Sequence, residues 1–202
     1  MAVDRIATLQ KLVEYLIWRQ PDPLAYFQVA PELPSNALDA SRIYASREKL
    51  LAALPKGGKV AEVGTFEGYF SRRIVEDCAP DEFHLIDVDF GPFKETLAGN
   101  VTKHRGDSST ILQSFPEGYF DWIYVDGDHS YQGVVKDLEA AHRAIKSGGH
   151  LMCNDYTNWM SLAVMPYGVM KAVNELIIRE QYIVEGLGLS PYSNPDILIR
   201  KP

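Results

Sequence analysis

The chain has 202 residues, 46% of them hydrophobic and 23% charged, which is the composition of a single globular domain. Its 27 acidic residues outnumber its 20 basic ones, and the net charge of −7 argues against a nucleic acid as substrate. Charged residues interrupt the N-terminal stretch, there is no apolar run of about 18 residues, and the two cysteines form no CxxC pair. We therefore expect a reduced, cytoplasmic protein that has no signal peptide, binds no membrane and is compatible with a homo-oligomer.

Residues 1–55 are predicted to form a helical cap segment that belongs to the same domain as the rest of the chain. Apolar residues recur at helical spacing over residues 3–20, and two prolines then end this helix. Residues 21–38 are rich in proline and predict an irregular connector. A second helix, capped by Asp39 or Ser41, is predicted before a Pro-Lys-Gly-Gly turn.

Strands and helices alternate over residues 56–202, which predicts a doubly wound α/β domain with a mostly parallel sheet. Two apolar segments near the C-terminus, residues 182–184 and 196–199, predict a closing antiparallel pair. The other predicted strands cover residues 59–64, 83–87, 121–126 and 149–155, and the predicted helices cover residues 68–78, 132–145 and 169–178.

A turn containing two glycines follows the first predicted strand, where ligands bind in open α/β sheets. It begins at Glu62 and includes Gly64, Thr65, Phe66 and Gly68. Gly64 leaves room for a ligand to approach the backbone, and Gly68 lets the next helix begin close to the strand. In a dinucleotide site a glycine would replace Phe66 to admit the pyrophosphate, so a ligand such as S-adenosylmethionine fits better. The alternative is a tight turn that needs glycine for its geometry alone.

Acidic residues follow the second and third strand ends. Asp87 can accept hydrogen bonds from both hydroxyls of a ribose, and Asp89 is the alternative ligand. Asp89 precedes a Gly-Pro pair, which suits a turn residue better. At the third strand end, Asp107 is placed to bind an adenine amino group, with Ser108 against the ring.

Polar side chains also follow the fourth and fifth strands. Asp126, Asn154 and Asp155 are expected to converge, because neighbouring strands lie about 5 Å apart. Their oxygen atoms predict a Mg²⁺ site, although the Asn154 amide weakens it. His129, three residues after Asp126, is predicted to be a general base for a hydroxyl group, with Asp126 beside it. The alternatives are that Asp126 binds the cofactor without a metal and that His129 is a surface residue.

These segments resemble class I S-adenosylmethionine-dependent methyltransferases, and are most similar to the small-molecule O-methyltransferases of the catechol, macrocin and cephalosporin type. The resemblance implies a Rossmann-like, seven-stranded sheet with an antiparallel last strand, preceded here by the N-terminal helices. It also implies methyl transfer from S-adenosylmethionine to a hydroxyl of a small molecule, with Mg²⁺ as a further cofactor. The segments that carry it are residues 61–71, 85–89, 106–108, 125–131, 147–156 and 167–173.

The resemblance implies a role for each candidate residue. Asp87 would bind the ribose, Asp107 and Ser108 the adenine, and His129 the acceptor proton. Asp126 would contact the cofactor and hold Mg²⁺ together with Asn154 and Asp155. Four residues of the first turn would frame the methionine and ribose: Glu62, Gly64, Thr65 and Gly68. The alternatives are a metal-independent N- or C-methyltransferase and a non-catalytic module that binds the same cofactor.

Overall fold

A computed structural model describes residues 28–160, 165–191 and 194–202. The helix predicted over residues 3–20 lies outside these ranges, as does the first part of the proline-rich connector. No helix within them is long and apolar enough to cross a membrane. Both cysteines are buried and free, as expected for a chain without disulfides.

The described residues alternate between strands and helices. The strands are β1 Arg42–Tyr44, β2 Lys59–Val63, β3 Glu82–Asp87, β4 Val101–Arg105, β5 Phe120–Val125, β6 Ile145–Cys153, β7 Trp159–Met160, β8 Met165–Pro166, β9 Ile183–Gly188 and β10 Asp196–Arg200. The α-helices are α1 Arg47–Leu51, α2 Tyr69–Cys78, α3 Ser108–Ser114, α4 Tyr131–Ala144 and α5 Val169–Glu180. A short 3₁₀ turn covers Ser35–Ala37.

Eight strands form one sheet in the order β1-β9-β10-β6-β5-β2-β3-β4. The central strands β2 to β6 are mutually parallel, and β10 is antiparallel to both of its neighbours. The predicted doubly wound α/β fold with an antiparallel last strand is therefore confirmed. The sheet of the described residues has one strand more than the expected seven, because β1 pairs in parallel with β9 at its edge.

The segment before β2 differs from its prediction. Instead of one helix capped by Asp39 or Ser41, it contains β1 and then the five-residue helix α1. Ser46 caps α1, and its hydroxyl accepts a hydrogen bond from the backbone N–H of Lys49 at 3.3 Å. The preceding residues are extended because they pair with β9, a long-range contact that local helical propensity does not report.

Helices cover both faces of the sheet, and β5 shows how its side chains divide between them. Trp122 and Tyr124 pack with residues of α1 and α2, whereas Ile123 and Val125 pack with residues of α4 and α5. Because both faces are buried, the strand is almost entirely apolar. The polar residues are therefore concentrated beyond the carboxyl ends of the parallel strands, which share one edge of the sheet.

Candidate active site

A cavity of about 870 Å³ opens at the carboxyl edge of the parallel strands. The segments that follow β2, β3, β4 and β5 form its wall, which is the usual ligand position in such sheets. Arg47 is the one basic residue among the described residues that line it. The other charged residues of the lining are acidic, and a cavity with this excess of negative charge favours a ligand that carries positive charge. Its acidic lining residues are Glu62, Glu67, Asp87, Asp89, Asp107, Asp126 and Asp128.

The turn after β2 depends on both of its glycines. Gly64 has φ +80°, and a Cβ atom there would lie 1.9 Å from the backbone oxygen of Asp126. Gly68 has φ +89°, and its Cβ would lie 2.8 Å from the ring of Phe93. Gly64 lines the cavity, whereas Gly68 precedes α2 and lies outside the lining. Gly64 thus lets two neighbouring strand ends meet, and Gly68 lets α2 begin close to the sheet.

Asp87, the last residue of β3, is hydrogen bonded to the turn after β2. One carboxylate oxygen accepts from the backbone N–H of Thr65 at 2.7 Å and from that of Phe66 at 3.3 Å, and the other from Asp89 N–H at 2.9 Å. Burial alone would raise the pKa of Asp87, but these hydrogen bonds hold it below its usual value. Asp89 accepts from the N–H of Gly91 at 3.1 Å in a turn. Both acids line the cavity, so the structure brings both ribose candidates to its wall.

The segment after β4 connects the cavity wall to α4. Asp107 caps α3, where one carboxylate oxygen accepts from the backbone N–H of Thr110 at 2.8 Å. The Ser108 hydroxyl donates to Asp137 of α4, a residue that the sequence analysis did not identify. Asp137 is 4% exposed, and burial raises its pKa to about 6 despite this hydrogen bond. Asp137 therefore fixes the hydroxyl of Ser108, one of the two residues predicted to contact the adenine.

We expect Asp137→Asn to stabilise the protein increasingly as the pH rises from about 4 to 7. In this range the unfolded chain releases the proton of residue 137 before the folded protein does, so the wild-type carboxyl progressively lowers the free energy of unfolding. The difference between variant and wild type should grow by up to about 3 kcal/mol. Urea unfolding at several pH values measures it, and Glu139→Gln, on the exposed face of α4, controls for the lost charge. A difference that does not change with pH would contradict the prediction.

The ends of β5 and β6 bring the four predicted catalytic and metal residues together. Nε2 of His129 lies 3.5 Å from a carboxylate oxygen of Asp126 and 3.7 Å from one of Asp155. The imidazole stacks on the ring of Tyr167, with centroids 4.6 Å apart and an interplanar angle of 15°. Burial would lower the pKa of His129, but the nearby negative charges of Asp126 and Asp155 outweigh it and raise the pKa.

Asp155 has an unusual backbone conformation for a residue with a side chain, with φ +50°. Aspartate tolerates this left-handed region better than most residues do, and such strain is typical of functional sites. Burial and the nearby Asp126 raise the pKa of Asp155, whereas His129 opposes the shift. The strand end is thus shaped to hold a carboxylate beside the imidazole.

The amide of Asn154 is bonded to a buried acid that the sequence analysis did not identify. Its Nδ2 donates to Asp196 at 3.2 Å, and the Tyr124 hydroxyl donates to the other oxygen of Asp196, also at 3.2 Å. Asp196, the first residue of β10, is 1% exposed, and burial raises its pKa to about 7. A carboxylate at position 154 would face this acid, which accounts for the amide there.

The arrangement of these residues does not fit a magnesium ion. Mg²⁺ requires oxygen ligands in nearly octahedral geometry, but an imidazole lies beside both Asp126 and Asp155. The amide nitrogen of Asn154 is also bonded to Asp196. In the part of the chain that the structure describes, no group of three or more His, Cys, Asp or Glu residues is placed to hold a metal ion. The carboxylates form instead an ion-paired environment for His129.

Arg47 is a further cavity residue that sequence reasoning missed. It is the first residue of α1, and its guanidinium carbon lies 4.9 Å from the centre of the Phe70 ring. Its closest ion-pair partner among the described residues is Glu48, at 3.7 Å. Burial would lower the pKa of Arg47, but negative groups including Asp196 and Asp126 raise it. The packing of α1 against the sheet brings Arg47 to the cavity, and no local motif marks it.

Comparisons with known proteins agree with this architecture. Residues 61–156 match a family described as a methyltransferase domain. The uncharacterized protein R132 of Acanthamoeba polyphaga mimivirus is 30% identical over 166 residues, which are 70% of this chain and 72% of that protein. The chain is therefore a relative of this viral protein, and its central part is similar to the methyltransferase domain family.

Two solved structures share the fold at low sequence identity. The pyocyanin biosynthetic protein PhzM has a TM-score of 0.60 and 17% identity, and the match covers 78% of this chain and 55% of that one. An S-adenosylmethionine-dependent methyltransferase from Mesorhizobium loti has a TM-score of 0.54 and 17% identity, over 75% of this chain and 96% of that one. This chain thus spans about half of PhzM but nearly all of the Mesorhizobium loti protein.

Proposed function

We propose that this protein transfers the methyl group of S-adenosylmethionine to a hydroxyl group of a small molecule, with His129 as the general base. The observation that carries the proposal is the position of His129 beside Asp126 and Asp155. Asp126 also lines the acidic cavity, so it lies between the donor site and the base. The proposed donor is cationic at its sulfonium and its amino group, which complements the charge of this cavity.

The donor would extend along the cavity wall in the order in which the strand ends present their side chains. Asp87 would accept the ribose hydroxyls, and Asp107 with Ser108 would contact the adenine. Glu62 would face the positively charged methionine end together with Asp126. Glu62 is 1% exposed, and burial raises its pKa well above the usual value, with Asp126 and Asp87 adding to the shift. A bound cation would therefore favour the ionised form of Glu62.

The reaction would proceed by in-line displacement at the methyl carbon. As the acceptor oxygen forms its bond to this carbon, the carbon–sulfur bond breaks and S-adenosylhomocysteine is left as a neutral thioether. The imidazole of His129 takes the acceptor proton, and Asp126 and Asp155, which lie beside its Nε2, stabilise the resulting imidazolium. Stacking on Tyr167 fixes the plane of the imidazole. Much of the rate enhancement would come from the alignment of donor and acceptor.

A hydroxyl acceptor is favoured because it has the greater need for a base. A neutral amine can attack the methyl group through its lone pair before it loses a proton, whereas an alcohol or phenol becomes a strong nucleophile only as its proton leaves. A histidine held by two carboxylates meets this need without a metal ion. The net charge of −7 favours a small acceptor over a nucleic acid.

Calorimetric titration with S-adenosylhomocysteine, with Mg²⁺ or with EDTA, tests the donor site first. We expect a dissociation constant of roughly micromolar order in both conditions, because the residues that would hold the donor are protein side chains. Absence of binding in both conditions would contradict the proposed function. A heat that appears only with Mg²⁺ and is lost in Asp155→Ala would instead support a metal-assisted reaction. Turnover on a panel of phenols, sugars and amines then tests the acceptor class.

A further inference from the structure

The positive charge of Arg47 is exceptional in the cavity that we assign to the donor. Seven acidic residues line this cavity, and Arg47 is the one basic residue among its described lining. The proposed donor has two positive groups and one negative group, the α-carboxylate of its methionine part. The acidic residues complement the positive groups but would repel this carboxylate, which therefore requires a cationic partner.

The position of Arg47 corresponds to the methionine end of this donor site. A Cβ atom at Gly188 of β9 would lie 2.9 Å from the Cα atom of Arg47, and Gly188 pairs with Asp196, the first residue of β10. Arg47 thus lies at the cavity-side ends of β9 and β10, which continue through β6 to β5 in the sheet, whereas the ribose and adenine candidates follow β3 and β4 on the other side of β2. Arg47 is thus on the side of the cavity where the reacting sulfonium and the acceptor base would meet.

Among the described residues, the surroundings of Arg47 leave its hydrogen-bond donors available. The guanidinium stacks on Phe70, a contact that restrains the side chain and uses its face rather than its N–H edge. Its ion pair with Glu48 is long, at 3.7 Å, and no described acceptor lies within hydrogen-bonding distance of it. A restrained guanidinium whose N–H edge has no hydrogen-bond acceptor in the described part of the chain suits two-point binding of a carboxylate.

We propose that Arg47 binds the α-carboxylate of S-adenosylmethionine and thereby makes the protein select this donor over its decarboxylated form. The inference rests on the proposed function, because it assigns a residue to the same donor site. A purely structural role, in which Arg47 neutralises the buried acids, is the competing explanation. The two differ in one respect: only carboxylate binding makes the effect of Arg47 depend on whether the ligand has a carboxylate.

The test compares two ligands on the intact protein, S-adenosylhomocysteine and its decarboxylated analogue, which keeps the amine. We expect wild type to bind S-adenosylhomocysteine more tightly by roughly 10- to 100-fold, and Arg47→Met to lose this preference without weaker binding of the analogue. Arg47→Lys should restore part of it. Arg72→Met is the matched control, because this arginine of α2 lies over Tyr69 but outside the cavity lining.

Three results would overturn the proposal. Wild type would show no preference between the two ligands, Arg47→Met would retain the preference, or Arg47→Met would weaken both ligands equally, as a structural role requires. If Arg47→Met does not fold, the wild-type comparison and the Arg47→Lys variant still decide the question. Failure of the proposed function itself is distinguishable, because wild type would then bind neither ligand.

Discussion

Replacing His129 with glutamine is expected to lower turnover by roughly 10²- to 10⁴-fold and to leave the affinity for S-adenosylhomocysteine nearly unchanged. Glutamine retains a polar side chain but cannot take the acceptor proton, and His129 is outside the described cavity lining. The loss should therefore appear in the rate of the methyl-transfer step. Single-turnover kinetics with an acceptor from the panel, together with calorimetry of the product complex, separate these two effects.

His142→Gln is the matched control for this variant. His142 is also partly buried, and it hydrogen bonds to the Tyr182 hydroxyl at 3.0 Å near the other end of α4. Its replacement should affect stability but not the methyl-transfer step. If His129→Gln turns over as fast as wild type, the proposed base is wrong and the acceptor must lose its proton to another group or to water.

Gly64→Ala is expected to abolish S-adenosylhomocysteine binding and to destabilise the fold by several kcal/mol. The left-handed backbone costs an alanine roughly 1–2 kcal/mol, and the clash of its Cβ with the Asp126 carbonyl adds an overpacking cost of about 1–3 kcal/mol. Both colliding groups are tied to backbone, so relief requires the ends of β2 and β5 to separate. That movement would displace Asp126 from the cavity wall.

Gly148→Ala is the matched control, because it isolates the cost of placing an alanine in left-handed backbone from the cost of the Cβ clash. Gly148 has a similar φ of +74°, but no atom of the described residues lies within 4 Å of the Cβ position. Denaturant unfolding of the two variants should show the larger loss of free energy for Gly64→Ala, and only that variant should lose the product complex. Equal losses would mean that the strand ends move apart easily and that the close approach at Gly64 has little energetic importance.

The parts of the site that were predictable from the sequence follow from parallel-sheet topology. Gly64, Asp87 and Asp126 come directly after or at the end of short apolar strands, and such ends share one edge whatever the details of packing. His129 follows Asp126 by three residues, so local geometry keeps the two close. The fold class was predictable for the same reason, because hydrophobic runs alternated with amphipathic helices.

The features that were not predictable depend on pairings between distant segments. Asn154 was predicted as a metal ligand, weakened because it has an amide in place of a carboxylate. The partner of this amide, Asp196, comes 42 residues later and reaches it only when β10 inserts beside β6. Arg47 lies in a segment that was predicted to be one long helix. The strand pairing of β1 and the packing of α1 place Arg47 at the cavity, and neither has a local signature.

The reversed direction of β10 makes one connection of the sheet suited to engineering. Gly188 ends β9 opposite Asp196, which begins β10, so these two strand ends lie at the same edge as the cavity. The backbone N–H of Tyr156, the residue after Asp155, donates to the carbonyl of Pro195, just before β10, at 2.7 Å. Residues inserted or exchanged between β9 and β10 would alter the acceptor side of the site. They would not have to cross either face of the sheet, and they would leave the register of the strands unchanged. Directed evolution of acceptor choice would therefore begin with grafts between β9 and β10.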